Sequence, residues 1–307
     1  MPARVTQGMI NAQLMRNLSS NLQRMDKWQN QLTTGRRINA PSDDPVGITF
    51  SLRYRTELAA NDQYQRNVDS AISALDYVDT TMNQAGEVMQ RLRELAVSGA
   101  TDTNPQTARD AIKNEVKQLY DQLVGIGNSS FNGKFVFNGQ LTDTQPYSTE
   151  PISDDPDAIH AQDNSTDTGE ILYQLGAGTQ IATNITGDSF FGAAGDEDNA
   201  FQVITDLYNS LNNGDTNGVS QALGKIDSRI DKMLQIRSEV GARSNRIELI
   251  QQRLTDIDTN LQALQSKTED ADIPGVITNL KMAENVYQSS LSVGAQLIKP
   301  SLVDFLK

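Results

Sequence analysis

Six apolar residues, Ile247, Ile250, Leu254, Ile257, Leu261 and Leu264, step 3-4-3-4-3 along the chain. That spacing is a heptad seam, and it admits little besides a long α-helix lying against a second helix. A matching seam opens the chain. After Ile10 and Leu14, positions Leu18, Leu22, Met25, Gln29 and Leu32 step by four, three, four and three, with Gln29 the polar member. Gly35 then suits the left-handed residue that ends a helix, and Arg36 and Arg37 follow it. A helix with so narrow a stripe cannot bury it alone, so both ends of the chain need partners. An aromatic content of 6% and a mean hydropathy of −0.48 also suit long amphipathic helices better than a large globular core.

The segment INAPSDDP (38–45) reads as a compact loop. Asp44 followed by Pro45 predicts a helix start, because Asp caps well and Pro suits the first helical position. Pro45 also biases Asp44 away from helical backbone, as a cap requires. The helix runs from about Val46 to Ser98, with Val68, Ile72, Leu75, Met82, Met89, Leu92 and Ala96 on one continuous face. A turn over Gly99 to Pro105 leads to a shorter helix, Gln106 to Ile126, with Ile112, Val116, Leu119 and Leu123 inward. Helices return after Asn199, where Val203, Ile204, Leu207 and Leu211 share a face. Asn213-Gly214 and Asn217-Gly218 predict a break, after which Val219, Leu223, Ile226, Ile230 and Met233 begin the last long helix. Pro274-Gly275 predicts an interruption. Beyond it Ile277, Leu280, Tyr287, Leu291 and Ile298 continue a stripe almost to Pro300, leaving an apolar tail with Leu302, Phe305 and Leu306.

The middle of the chain has a different texture. From Phe135 to Gly224 there is no Lys or Arg, and fourteen of the 39 acids fall there, which leaves 25 acids against 26 bases elsewhere. Asn132-Gly133 and Asn138-Gly139 bracket the short β-prone run from Lys134 to Phe137, and Asn-Gly is a strong hairpin signal. Ile171–Leu175 and Gln180–Ile185, separated by Gly-Ala-Gly-Thr, predict a second hairpin, with Phe190 and Phe191 as anchors.

Several function classes lose their tools. Without cysteine there are no disulfides, thiolate nucleophiles, Cys-bound zinc or iron–sulfur clusters, and one histidine, His160, leaves no two-His metal site. Asp43 and Asp44 read as helix-start chemistry rather than as an acid/base pair. Asp163, Ser165 and Asp167 suggest a calcium loop, but Thr168 stands where an EF-hand needs Gly and no Glu closes the loop. Gly176-Ala-Gly178 lacks the third glycine of a dinucleotide loop. His160 reads as an exposed loop residue, and Trp28 with the methionines at 15, 25, 82, 89, 233 and 282 as packing at helix seams. No catalytic, cofactor or metal site is expected. The acidic stretch repels phosphates, which argues against nucleic acid as a partner. The N-terminus carries no apolar run and cleavage site of the signal-peptide kind, and no stretch approaches the length of a membrane span.

The expected fold is mainly α with a small β insert: an antiparallel long-helix hairpin or rod whose terminal heptad helices form a coiled coil on assembly, with a β-rich outer domain. Residues 1–45 form an N-terminal assembly helix, 46–137 and 199–265 two segments of a helical rod, 138–198 the acidic insert and 266–307 a C-terminal assembly helix. Pairing the two ends still leaves apolar surface open, and further copies of the same chain are its natural cover. The competing reading is a monomeric bundle whose ends pack on its own body. The C-terminal segment, with its sparse charges Lys281, Glu284, Lys299, Asp304 and Lys307, fits partner helices better than a membrane surface.

The segment QLTTGRRINAPSDDPVGITFS (31–51) resembles the N-terminal signature of the flagellin family: a heptad helix, then S/T-G-x-R-I-N, then an Asp pair opening the next helix. NVYQSSLSVGAQLIKPSLVDFLK (285–307) resembles the other end of that family. The resemblance covers roughly residues 1–140 and 200–307. Where flagellins proper usually carry A-x-D-D-A-A-G, this chain has Pro41-Ser42-Asp43-Asp44-Pro45, and Pro300-Ser301-Leu302 replaces a Q-A-N-Q-type segment. Both departures resemble the hook-associated branch, whose L-type members join hook to filament. The resemblance implies a structural subunit of the extracellular flagellum, not an enzyme. Export would run through the flagellar type III channel without a cleaved signal, and the termini would order on assembly. Implied partners are further copies in a junction ring, another hook-associated protein on the hook side, flagellin on the filament side and an export chaperone at the C-terminal segment. The assembly interface is expected at Leu14, Leu18, Leu22, Met25 and Leu32 of the first helix, at Arg36, Arg37, Asn39, Asp43 and Asp44 of the loop, and at Leu280, Tyr287, Leu291, Ile298, Leu302, Phe305 and Leu306 of the C-terminal segment. Two alternatives stay open: a flagellin that builds the filament itself, and a secreted wall hydrolase with its site in the acidic insert.

Overall fold

The computed structural model describes residues 7–101, 105–152 and 160–298. The chain divides into two compact units, residues 61–255 and residues 1–60 with 256–307. The fold is mostly helical, with two small antiparallel hairpins.

The unit of residues 61–255 is built on the later part of α2 (Pro45–Gly99) and the earlier part of α6 (Thr216–Glu269). Along α2, Val68, Ala71, Leu75, Val78, Met82, Ala85, Met89, Leu92 and Ala96 are all buried and step 3-4 without a break. The stripe read from sequence spans the same residues but takes Ile72 where the buried position is Ala71, and passes over Val78 and Ala85. Val219, Ala222, Ile226, Met233, Val240, Ile247 and Leu254 supply the buried face of α6. The two helices run antiparallel. Asn61 donates its side-chain amide to the Leu254 carbonyl at 3.0 Å, and Arg237 forks onto Asp79 at 2.7 and 3.1 Å. Helices α3 (Gln106–Gly127) and α5 (Ala200–Asn213) complete the helical layer, with Tyr120 edge-on to Phe201.

Strands β1 (Ser130–Phe131) and β2 (Lys134–Phe135) pair antiparallel. Asn132 (φ +52°) and Gly133 (φ +76°) both take the left-handed conformation that a two-residue type I′ turn requires. The second hairpin, β3 (Leu172–Gly176) with β4 (Thr179–Ala182), is shorter than its apolar run. Its tip is Ala177-Gly178, since Gly176 and Thr179 already pair. It closes at Ala182 because the Asn184 side chain then takes over, accepting from the Ile171 N–H at 2.8 Å and donating to the Gly169 carbonyl.

Phe190 and Phe191, in the short helix α4 (Gly187–Phe191), stack with Phe137, Tyr147 and Phe201 at centroid separations of 4.7–5.9 Å. Because Phe201 belongs to α5, this cluster is continuous with the helical core. Among the described residues, the β-containing stretch therefore shares the core of the helices.

Two expected breaks move. Asn217-Gly218 lies inside the first turn of α6, and the break is only Gly214 (φ +71°) and Asp215, whose carboxylate accepts from the Asn217 N–H at 3.1 Å. Pro274-Gly275 likewise lies in the first turn of α7 (Ile273–Ile298), where proline has no hydrogen bond to lose. The interruption is Asp270–Asp272, and the Asp272 carbonyl accepts the Val276 N–H at 2.8 Å. Among the described residues no helix is long and apolar enough to cross a membrane.

Candidate assembly interface

In the unit of residues 1–60 and 256–307, α1 (Gln7–Thr34) pairs antiparallel with α7. A side chain at Gly294 would lie 2.9 Å from a Leu14 methyl, and Asn21 donates to the Ser290 hydroxyl at 3.1 Å. The covered positions of α1 include Ile10, Leu14, Leu18, Asn21, Met25, Trp28 and Gln31; those of α7 include Val276, Leu280, Ala283, Tyr287, Ser290 and Gly294. Both series step by fours and threes, so this is a heptad seam, with a polar pair placed in its middle. Asn21 is only 7% exposed.

The seam is narrower than the apolar surface of the helices that make it. Met9, Met15, Leu22 and Leu32 on α1, and Ile273, Ile277, Met282, Val286, Leu291 and Val293 on α7, stay between 36% and 65% exposed. Val46, Phe50 and Leu52, in the first turns of α2, are exposed as well. Large apolar side chains left in this density on two paired helices form the kind of patch that protein–protein contacts use.

The loop between α1 and α2 is polar and internally braced. Asp44 caps α2 by accepting from the Gly47 N–H at 2.9 Å, and Arg37 reaches the same carboxylate at 3.4 Å. Gly47 gives the room for this, since a Cβ would lie 2.6 Å from the Asp44 carboxylate and the Ile38 side chain and one of them would have to shift. The N–H of Gly47 and the charge of Arg37 hold the Asp44 carboxyl below its usual range. Asp43 accepts from the Asn39 and Ala40 N–H groups at 3.1 and 3.0 Å and pairs with Lys27 at 3.3 Å, which depresses it too. Arg36 reaches Glu269 at 3.5 Å, and Arg37 donates to the Thr268 carbonyl at 3.0 Å. Glu269 is 2% exposed and is also held by Arg55, Ser51 and Gln265. Burial works to raise its pKa, but the hydrogen bonds from Arg55, Ser51 and Gln265 outweigh burial and leave it lowered.

Comparison with known proteins decides the family. Residues 5–142 match the bacterial flagellin N-terminal helical region and residues 223–306 the bacterial flagellin C-terminal helical region. The chain belongs to the bacterial flagellin family. It is 26% identical to a flagellin of Halalkalibacterium halodurans over 92% of this chain and 90% of that one, and 26% identical to a flagellin of Bacillus subtilis over 91% of each. Its fold is similar to that of flagellar hook associated protein-3 from Legionella pneumophila (TM-score 0.61, 16% identity, 70% of this chain and 98% of that one). It is also similar to FlgL from Bacillus cereus (TM-score 0.58, 17% identity, 70% and 99%). This flagellin-family chain is a structural component of the flagellum.

The interface residues expected from sequence separate into four groups. Leu14, Leu18, Met25, Leu280 and Tyr287 lie in the α1–α7 seam, whereas Leu22, Leu32 and Leu291 lie on the open face. The sequence stripe ran through Leu22 because it stepped between apolar residues and passed over Asn21. Arg36, Arg37, Asn39, Asp43 and Asp44 engage partners of their own chain. Leu302, Phe305, Leu306 and the Ile298 side chain lie outside the described residues. Periodicity could not find Asn21, Ser290, Ser51, Arg55 or Glu269, because a search for apolar spacing ignores polar groups buried at a seam.

The tempting acids of the insert have structural partners. Asp167 accepts from the Gln140 and Gly169 N–H groups, and Asp163 from the His160 N–H. His160 is half-buried rather than exposed, because its backbone opens the short 3-10 turn Ala161–Asp163. Met15 and Met282 are exposed on the α1–α7 unit, while Met82, Met89 and Met233 are core residues.

Proposed function

We propose that this chain forms the ring joining hook to filament, polymerising through the open apolar face of α1 and α7. The observation that carries the assembly reading is that face: ten large apolar side chains left uncovered by a helix pair whose own seam is complete. Its position in the flagellum is supported by the Pro-Ser-Asp-Asp-Pro variant at residues 41–45 and by the fold likeness to flagellar hook associated protein-3 and the flagellar junction protein of Legionella pneumophila. In this reading the chain is a structural subunit without catalytic function, exported by the flagellar type III route to the extracellular flagellum. It contacts further copies of itself, a hook-associated protein on one side and flagellin on the other. An export chaperone covers its C-terminal segment before assembly.

A second reading, a filament subunit, is favoured by the two flagellins matched over more than nine-tenths of this chain. A clean deletion in the source bacterium separates the two. Hooks without filaments, with unassembled flagellin in the medium, are expected for the junction protein; loss of all secreted filament protein identifies the chain as flagellin. In vitro, Leu22→Glu with Val286→Glu is expected to abolish self-association, read by sedimentation, while helical content by circular dichroism is kept. Normal filaments in the deletion strain, together with undiminished association of that variant, would overturn both the position and the interface.

A further inference from the structure

Glu269 is a buried carboxylate that gathers ligands from three separate stretches of sequence. Arg55 forks onto it, with Nε 2.9 Å from Oε1 and Nη2 2.5 Å from Oε2. Ser51, one turn earlier on α2, donates its hydroxyl to Oε1, Gln265 donates at 3.3 Å, and Arg36 approaches Oε2 from the loop after α1. Around the carboxylate the backbone forms a small antiparallel bridge. The Arg37 N–H donates to the Glu269 carbonyl at 2.6 Å, and the Ala271 N–H donates to the Gly35 carbonyl at 2.9 Å. Gly35, at φ +70°, is where α1 ends, and Ala271 sits in the break where α6 gives way to α7.

We propose that Glu269 is the positioning residue of the assembly interface: a clasp, charged and buried, that fixes the exit of α1 beside the entry of α7 and so sets the two helices in register. The inference deepens the assembly reading and rests on it for its consequence, though not for the clasp itself. A bridge of two backbone hydrogen bonds does little by itself against the loop-closure entropy of segments more than 230 residues apart, so it gains from a further tie beside the α1–α7 seam. The bidentate arginine–carboxylate pair supplies that tie with directional hydrogen bonds. Because Glu269 is nearly inaccessible to water, removing Arg55 leaves it only the more distant Arg36, at 3.5 Å, as counter-charge. Val276 and Leu280, the first seam residues of α7, follow Ala271 within ten residues, so a slip at the clasp propagates directly into the seam.

The test is hydrogen–deuterium exchange of the full chain, followed in peptides covering residues 33–44 and 266–273. In the parent both peptides are expected to be protected. In Glu269→Gln and in Arg55→Met both should exchange roughly tenfold faster, the effect of a buried pair discounted for the partial exposure of Arg55. Peptides from residues 68–96 should be unchanged, which shows that the body stays folded. Arg55→Lys should retain part of the protection and Glu57→Gln all of it. Unprotected peptides in the parent, or unchanged exchange in Glu269→Gln, would overturn the clasp. Sedimentation of the same proteins reads the consequence: Glu269→Gln should associate more weakly than the parent. A parent that does not associate at all, with the exchange result intact, would remove the assembly reading and leave the clasp standing.

Discussion

Arg229 is 2% exposed in the core of residues 61–255, an unusual place for a guanidinium. It donates to the Asp198 carbonyl at 2.7 Å and to its carboxylate at 2.6 Å, while Lys232 and Ser228 take the other carboxylate oxygen at 2.7 and 3.1 Å. Gly192, at φ +103°, makes room, since a Cβ there would lie 2.6 Å from the guanidinium. Burial alone would raise the Asp198 pKa, but Lys232, Arg229 and Ser228 together leave it below its ordinary 3.8. Removing one partner of such a pair is costly, so Arg229→Met is expected to lower the unfolding free energy in urea by about 3 kcal/mol. The sign of the pH effect follows from the lowered value. Asp198 contributes stability that is fully present above 3.8 and is lost as the pH falls through its lower folded value. Urea unfolding measured down that range should show the loss in the parent and a flatter profile in Asp198→Asn. Sequence reading does not find this group, because Arg229 takes the helical step between Ile226 and Met233 beside Ile230, and a search for apolar spacing settles on the isoleucine.

At the scale of elements, the helices were legible nearly to the residue, since capping and periodicity act locally. Asp44-Pro45 does start α2, Gly35 does end α1, and Asn132-Gly133 does turn the first hairpin. What periodicity could not supply was which stripe of a two-striped helix meets a partner. On α1 the seam takes Asn21 and leaves Leu22 outside, a choice made by Ser290 and Gly294 on α7 and thus invisible in α1 alone. The contacts of Arg36 and Arg55 with Glu269, and of Arg37 with the Thr268 carbonyl, were hidden for a similar reason, because the partners lie far off in sequence. A polar residue at a heptad seam specifies register at some cost in stability. Asn21→Leu is therefore expected to stabilise the α1–α7 pair against heat yet loosen its alignment. The cysteine-free chain offers a direct measurement: a Leu14→Cys, Gly294→Cys pair should cross-link readily in the parent, and about half as well once Asn21 is Leu.

For the whole molecule, the decisive feature is the division at residues 60/61 and 255/256. The unit of residues 61–255 has its own continuous core, from Val68 on α2 through the aromatic cluster to Leu254 on α6. A fragment of those residues is expected to unfold cooperatively on its own and to remain monomeric; a broad, non-cooperative transition in circular dichroism would show that the ends are part of its core. Charge follows the same division. Residues 61–255 carry 28 acids and 14 bases, whereas the remainder carries 11 acids and 12 bases. The chain is thus an amphiphile written in protein: a strongly anionic head joined to a near-neutral, apolar-faced tail. Repulsion between such heads opposes association as it does between detergent molecules, so added salt, by shortening its reach, is expected to strengthen self-association as read by sedimentation.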